Sequence, residues 1–407
     1  MPPKFSLTRK FKLPEIALGI KPSKTPKPLS ALVALARAHA RLQYSPSTEL
    51  HYHNWGHVEA FEKDLVELIG ICRKAGIKDI DEDGLRIAAY IHDMHNQVKA
   101  PYFGFKSQEE YAGHYGFNFV LENGGSLEDA KRVARYIHAT HWQYEPRGRP
   151  WSTEEILMRA ADLRNIGGSY EGFSENFVRM HNESMSISGT QFPEQEFARR
   201  SFSFLPLFIW RFLTLTPKAY NQFGASAFHT NALSNIFRKW VEVHGGRGGV
   251  RLVMQVGAGR RPILMHSQLP DSHFYIGVEP DPQNSRRGLK TARAVLQAKG
   301  SRVPAFFVPG SGSSLPIPED QSIKVDELHY SDVNHNKVVD FKEINRVLSR
   351  VGKVIVQETR GASRETRGRP SAQQVKNRFK SMGFYFDSEA SQEGKGGRYK
   401  LVFQPSI

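Results

Sequence analysis

The chain has a single cysteine among its 407 residues, Cys72, so no disulfide can form within it. Cys72 follows Leu68, Ile69 and Ile71 in an apolar helical pattern, the setting of a buried core thiol rather than of a redox group. Long apolar runs are also missing. The longest, Phe202 to Leu215, is broken by Pro206 and Arg211 and stops short of the roughly 18 residues that a membrane-spanning helix needs, which predicts a buried helix and no membrane span. The N-terminus lacks the continuous apolar segment and small-residue cleavage site of a secretory signal, so a cytoplasmic protein is expected. No solenoid-type repeat occurs. Acidic residues are in deficit, 41 against 56 lysines and arginines, and the net charge of +15 favours polyanionic partners: nucleic acid or phosphorylated substrates. Charge does not choose between these.

What is present points to a folded chain of more than one domain. A composition 39% hydrophobic and 24% charged is too apolar for disorder, and the length exceeds what one core usually serves. Residues 1–29 carry Lys4, Arg9, Lys10, Lys12, Lys21, Lys24 and Lys27 among six prolines and read as a basic extended arm. Apolar residues then recur at three- and four-residue spacing over residues 30–243, predicting an all-α domain. His244-Gly245-Gly246-Arg247-Gly248-Gly249 interrupts the pattern as a linker over residues 244–249. Over residues 250–407, short apolar runs at Leu252–Val256, Phe274–Val278, Ala305–Val308, Glu327–Tyr330 and Lys353–Gln357 alternate with helix-compatible segments. That alternation predicts an α/β, Rossmann-like domain with a mainly parallel sheet.

In the helical half, Asn54 is placed to cap a helix that carries His57 beside its buried face of Val58, Phe61, Leu65, Leu68 and Ile69. The next helix runs through Ile87, Ala88, Ala89 and Ile91 into His92-Asp93, which offers a nitrogen and an oxygen ligand from one turn. A third, starting at Ser126 with Asp129 in a capping-box pattern, carries His138 and His141. A fourth, starting at Ser152 with Glu155, holds Asp162 between Ala161 and Leu163. A carboxylate in such apolar company is costly to bury unpaired, and a metal cation is the expected partner. Mixed imidazole and carboxylate ligands suit Mn, Fe, Mg or Zn without selecting one. Such an ion activates water and polarises a phosphoryl oxygen, so phosphoester or phosphoanhydride hydrolysis is the chemistry expected.

Tyr52-His53-Asn54 with His57, then His92-Asp93, then Asp162, resembles the H…HD…D pattern of HD-domain metal-dependent phosphohydrolases over most of residues 45–240. The Tyr-His-Asn-Trp start is similar to cyclic-nucleotide phosphodiesterases, while Ala161-Asp162-Leu163 followed by Gly167-Gly168 is similar to small bacterial HD hydrolases. The resemblance implies metal ligands at His57, His92, Asp93 and Asp162. It also implies a phosphorylated small-molecule or nucleotide substrate and a proton-donating role for His53. Asp93 counts as catalytic as well, since its loss takes metal and activity together. The chain departs from the phosphodiesterase pattern after His-Asp, where Met94-His95-Asn96 stands. His138 and His141 are evenly divided between substrate contact and a solvated helix face.

In the second half, Val253-Met254-Gln255-Val256-Gly257-Ala258-Gly259 reads as a strand entering a glycine turn. Glu279 ends the next apolar strand, where a carboxylate accepts hydrogen bonds from ribose hydroxyls; together they suggest a nucleoside-containing cofactor. With Leu315-Pro316-Ile317-Pro318, the run Glu343 to Leu348 and a closing pair at Gly383–Phe386 and Tyr399–Phe403, the succession resembles class I S-adenosylmethionine-dependent methyltransferases. That resemblance implies a cofactor site at Gly257, Gly259 and Glu279. Gln255 and Ser313-Ser314 stand where that family often has acidic residues. No cysteine nucleophile and no Asn/Asp-Pro-Pro-aromatic run is present, against cytosine C5 and amino-group DNA methylation. Asp332 to Glu343 has the spacing of a calcium loop, but Lys337 replaces its glycine, and a strand-to-helix connection accounts better for it.

The reading is therefore a metal-dependent phosphohydrolase joined to a possible methyltransferase. The competing reading is a metal-stabilised binding module whose degenerate methyltransferase fold is an oligomerisation or nucleic-acid platform, with Arg360, Arg364, Arg367, Arg369, Lys376 and Arg378 facing phosphates.

Overall fold

The computed structural model describes residues 23–44, 50–94, 96, 104–141, 144–146, 148–213, 225–258, 262, 270, 273–301, 303–308, 315, 317, 323–331, 340–358, 371–393 and 399–406. The chain forms two compact units, one of Met1–Phe192 with Arg211–Phe228, the other of Pro193–Trp210 with His229–Ile407.

The first unit is helical. It contains α1 (Ser30–Tyr44), α2 (Trp55–Lys74), α3 (Glu82–Ile91), α4 (Gln108–Glu122), α5 (Leu127–Thr140), α6 (Thr153–Leu163), a 3₁₀ turn (Arg164–Gly167) and α7 (Tyr170–Ser188). Local chemistry sets the helix starts. The Asn54 side chain accepts from the His57 amide, Asp81 from Gly84, Ser107 from Glu110 and Ser152 from Glu155. At α6 the expected capping box is complete, since Glu155 accepts the Ser152 amide at 2.9 Å in return. At α5 it is not: Ser126 accepts the Asp129 amide, but the Asp129 carboxylate takes the Ser126 hydroxyl proton at 2.6 Å. An aspartate is one methylene shorter than the glutamate of a full box, and Arg132 holds its other oxygen.

Helices α4 and α5 meet closely at Gly113. A Cβ there would lie 2.2 Å from Nε2 of His138, so only glycine lets the imidazole press against the α4 backbone. Arg159 of α6 is fully buried and caps the end of α5, donating from Nε to the Ala139 carbonyl at 2.8 Å and from Nη2 to that of His141 at 2.5 Å. Its guanidinium also stacks 4.5 Å from the Trp151 ring centre. Cys72 is buried, and burial pushes its thiol up to about 11, so the lone cysteine sits in the core as expected.

Helices α8 (Glu194–Leu213) and α9 (Ala225–Val243) follow. Among the described residues no helix is long and apolar enough to cross a membrane. The second unit begins ahead of the glycine run at 244–249, because the last turns of the helical pattern pack with the sheet. The Phe237 ring meets Phe274 edge-on at 5.3 Å, and Trp240 is fully buried.

Seven strands make one sheet: β1 (Leu252–Val256), β2 (Phe274–Val278), β3 (Ala305–Val308), β4 (Val325–Ser331), β5 (Leu348–Glu358), β6 (Phe384–Glu393) and β7 (Tyr399–Pro405). Their order is β3-β2-β1-β4-β5-β7-β6; β1 to β5 are parallel, and β7 runs antiparallel between β5 and β6. The connecting helices are α10 (Pro282–Ala298), α11 (Phe341–Val347) and α12 (Ala372–Ser381). Strands β1, β2 and β3 are buried along their whole length, which is why each reads as a continuous apolar run instead of an alternation. The winding direction reverses between β1 and β4, the topological switch point at which open α/β sheets bind ligands.

Gly113→Ala should destabilise the chain by about 1–3 kcal/mol, as overpacking does. Gly70→Ala, also within a helix but with nothing within 4 Å of the added Cβ, should stabilise it by up to ~1 kcal/mol. Urea unfolding of the two variants checks this; equal effects would disprove the close approach at Gly113.

Candidate functional site

Three helices bring ionisable groups to one place in the helical unit. His57 lies in the first turn of α2, His92 caps the end of α3 with Asp93 next to it, and Asp162 sits in the last turn of α6. The ligand atoms of His57, His92 and Asp162 all lie within 4.8 Å of one another. Donors that share one ion at about 2.1 Å are roughly 3–4 Å apart, close to this spacing. Asp93 completes the set: its Oδ2 is 2.9 Å from Nε2 of His92 and 3.2 Å from Nε2 of His57. Both Nε2 atoms are buried, and neither completes a well-directed hydrogen bond. His92 Nδ1 donates to the Ala89 carbonyl at 2.8 Å, which fixes the tautomer of the neutral ring and would then present the Nε2 lone pair to the cluster.

The electrostatics fit a cation. Burial and the neighbouring charge of Asp93 push the Asp162 carboxyl up to about 7. Burial also opposes charge on Asp93, but His92 and His53 outweigh it and hold that carboxyl well below its ordinary range. Burial likewise opposes charge on His92, and Asp93 overrides it, raising the imidazole to about 9. His57, where burial wins, is lowered. Without a cation, the acids stay charged only by keeping a proton on the imidazoles; a divalent ion meets the same demand.

His53 joins the cluster from the chain just before α2, with Nε2 3.8 Å from Asp93 Oδ2. Its Nδ1 is held by Glu183 Oε1, while Glu183 Oε2 accepts the backbone amides of Tyr52 and His53 at 2.8 and 2.9 Å. Burial lowers the His53 pKa, but Asp93 and Glu183 outweigh it and the net shift is upward. Glu183, in α7, is a site residue that sequence reasoning misses; it is buried, but no local pattern in that helix sets it apart. Tyr52 is missed as well. Its ring centre lies 4.6 Å from that of His57, and its hydroxyl accepts from Asn165 Nδ2 at 3.3 Å. Burial and Asp162 raise its pKa above the ordinary phenol range.

The two other histidines lie differently. His138 is buried against Gly113 between α4 and α5, and desolvation pushes its pKa down to about 3. His141, at the end of α5, is buried with Nε2 3.9 Å from Glu109 Oε2, and Glu109 in turn acts electrostatically on Asp162. His141 therefore borders the cluster.

In the sheet unit, Gly257 follows β1 with φ of +73°, a conformation that excludes most side chains, and its amide donates to the Val278 carbonyl at 2.9 Å. That bond sets it beside Glu279 at the end of β2, whose Oε1 accepts the Asp281 amide at 3.2 Å. Gly259 lies outside the described residues, as do Ser313-Ser314 and Arg360 to Arg369. Gln255 is buried and accepts the Tyr275 hydroxyl at 2.6 Å. Of the calcium-loop spacing, Asp340 caps α11 and Glu343 accepts from the Leu315 amide and Arg346. Lys376 pairs with Glu393, and the Arg378 guanidinium stacks 5.2 Å from the Phe341 ring centre.

No family model and no curated protein matches the sequence. Solved structures do match its C-terminal part. A SAM-dependent methyltransferase from Aquifex aeolicus is 14% identical over 43% of this chain and 95% of its own, with a TM-score of 0.30. A fibrillarin pre-rRNA processing protein from Methanococcus jannaschii is 14% identical over 42% and 74%, at 0.29. Fibrillarin from Aeropyrum pernix, solved with bound S-adenosyl-L-methionine, is 14% identical over 38% and 66%, at 0.28. The strand order, with β7 reversed between β5 and β6, gives the second unit the methyltransferase-like fold that the sequence led us to expect.

Because the Glu183 carboxylate favours the imidazolium of His53, Glu183→Gln should lower the His53 pKa. Imidazole titration followed by NMR in metal-free protein measures this. An unchanged pKa would leave Asp93 and Asp162 as the carboxylates that act on it.

Proposed function

We propose that the N-terminal unit is a metal-dependent phosphohydrolase acting on a phosphorylated, nucleotide-like substrate. The observation that carries this is the convergence of His57, His92, Asp93 and Asp162 from three helix ends, with two buried imidazole nitrogens aimed at a carboxylate and lacking hydrogen bonds. The H…HD…D order of the sequence supports the same reading. These four residues would hold a divalent ion, which would supply an activated water and a counter-charge for the phosphoryl group. His53 is held at Nδ1 by Glu183, which favours its imidazolium form; in that form Nε2 carries the proton that a leaving oxygen needs. Glu183 fixes both the ring and the backbone that carries it.

For the C-terminal unit we infer S-adenosylmethionine binding at the carboxyl ends of β1 and β2. The supporting observation is that the left-handed Gly257 and the carboxylate of Glu279 are set side by side by the Gly257–Val278 hydrogen bond. Open backbone there admits the cofactor closely, and Glu279 accepts ribose hydroxyls.

Asp93→Ala should remove stoichiometric metal and turnover together. His53→Ala should retain metal while kcat falls about 10²- to 10⁴-fold, the usual range for losing a proton donor. Metal analysis and a nucleotide hydrolysis panel with Mn, Fe or Mg check both. Bound metal with no turnover on any nucleotide would establish the metal as structural cement instead. In calorimetry on the full chain, Glu279→Ala should weaken S-adenosylmethionine binding by about tenfold or more, the loss of a charge-assisted hydrogen bond. No binding to the parent chain at millimolar cofactor, with salt-sensitive RNA or DNA binding, would favour the nucleic-acid platform.

A further inference from the structure

Tyr52 is placed as no packing residue needs to be. Its backbone amide is tied to Glu183 Oε2 at 2.8 Å, its ring lies 4.6 Å from that of His57 and 4.8 Å, edge-on, from that of His53, and it keeps part of its surface open to solvent. Its hydroxyl is therefore fixed relative to two imidazoles of the site. Asn165, in the 3₁₀ turn that leaves Asp162, donates its amide N–H to that hydroxyl at 3.3 Å. A phenol oxygen that accepts this bond has its own proton left to give. No acceptor for it occurs among the described residues' hydrogen bonds at this hydroxyl.

We propose that the Tyr52 hydroxyl, oriented by Asn165, donates a hydrogen bond to a non-bridging phosphoryl oxygen of the substrate. The inference rests on the phosphohydrolase reading and adds the contact for an oxygen that the metal leaves free. The arrangement suits a tetrahedral oxyanion better than a neutral ligand: an ion held by the four proposed ligands would supply positive charge to the group, His53 would face the leaving oxygen, and the Tyr52 ring lies against both His57 and His53. Asn165 sets the direction of the bond, since its amide N–H occupies the hydroxyl lone pair. An acceptor at that position would draw the Tyr52 proton away from the substrate.

The probe is inorganic phosphate binding to the full chain loaded with Mn, followed by calorimetry, with metal content measured on every sample. Tyr52→Phe keeps the ring against His57 and should retain metal, yet bind phosphate about 10-fold or more weakly. Asn165→Asp replaces the donor by an acceptor of the same size and should weaken phosphate to a similar degree. Phosphate affinity equal to the parent chain in both variants, with metal retained, would overturn the proposal. So would a metal-loaded parent chain that binds no phosphate. Loss in Tyr52→Phe alone would overturn the orienting role of Asn165. Failure of the hydrolase reading appears separately: Tyr52-dependent phosphate binding with no nucleotide turnover upholds the donor and removes the reaction.

Discussion

The helical unit is organised around the burial of Asp93 among three imidazoles. Withdrawing a carboxylate from water costs several kcal/mol even after relaxation, and Asp162 brings a second negative charge to the same place. The cost is offset only if positive charge arrives from elements that are far apart in sequence: His53 and His57 from the start of α2, His92 from the end of α3, or an ion held among them. That requirement fixes where α2 must begin and where α3 and α6 must end. It also explains why polar atoms that would be a liability in an ordinary core, the bare Nε2 atoms of His57 and His92, persist here.

The supports for this arrangement sit at the other ends of the same helices. At the start of α3, Asp81 accepts from the Gly84 amide, from Arg132 at 3.1 Å and from the Tyr136 hydroxyl at 3.1 Å, so α3 and α5 are locked together there. At the start of α6, the fully buried Glu155 takes both guanidinium nitrogens of Arg149 and the Tyr144 hydroxyl while closing its capping box. One turn before Asp162, Arg159 holds the last carbonyls of α5. In α3 and α6 the helix starts are thus satisfied by dense, mutually paired side chains, and the helix ends are left to carry His92, Asp93 and Asp162. In the sheet unit the interiors of β1 and β2 are buried throughout, with Gln255 satisfied by the Tyr275 hydroxyl, and Gly257 and Glu279 stand at their carboxyl ends.

The sequence by itself determined the elements and much of the chemistry. Helix starts at Asn54, Ser126 and Ser152 were legible because a cap is a contact between near neighbours, and the buried strands because five apolar residues between breakers have few alternatives. His57, His92, Asp93 and Asp162 were legible as candidates because each is a polar residue beside an apolar helical face, and the structure brings the four together. Tertiary structure decided what depends on contacts across long separations. Glu183 reaches Tyr52 and His53 over about 130 positions, and Asn165 reaches Tyr52 over 113, distances at which no local pattern survives. It decided that His138 is wedged against Gly113 while His141 borders the cluster, although both lie on one helical stretch. It also decided that His229 to Val243 joins the sheet, because a helix's apolar face is indifferent to which core buries it until the partners are present.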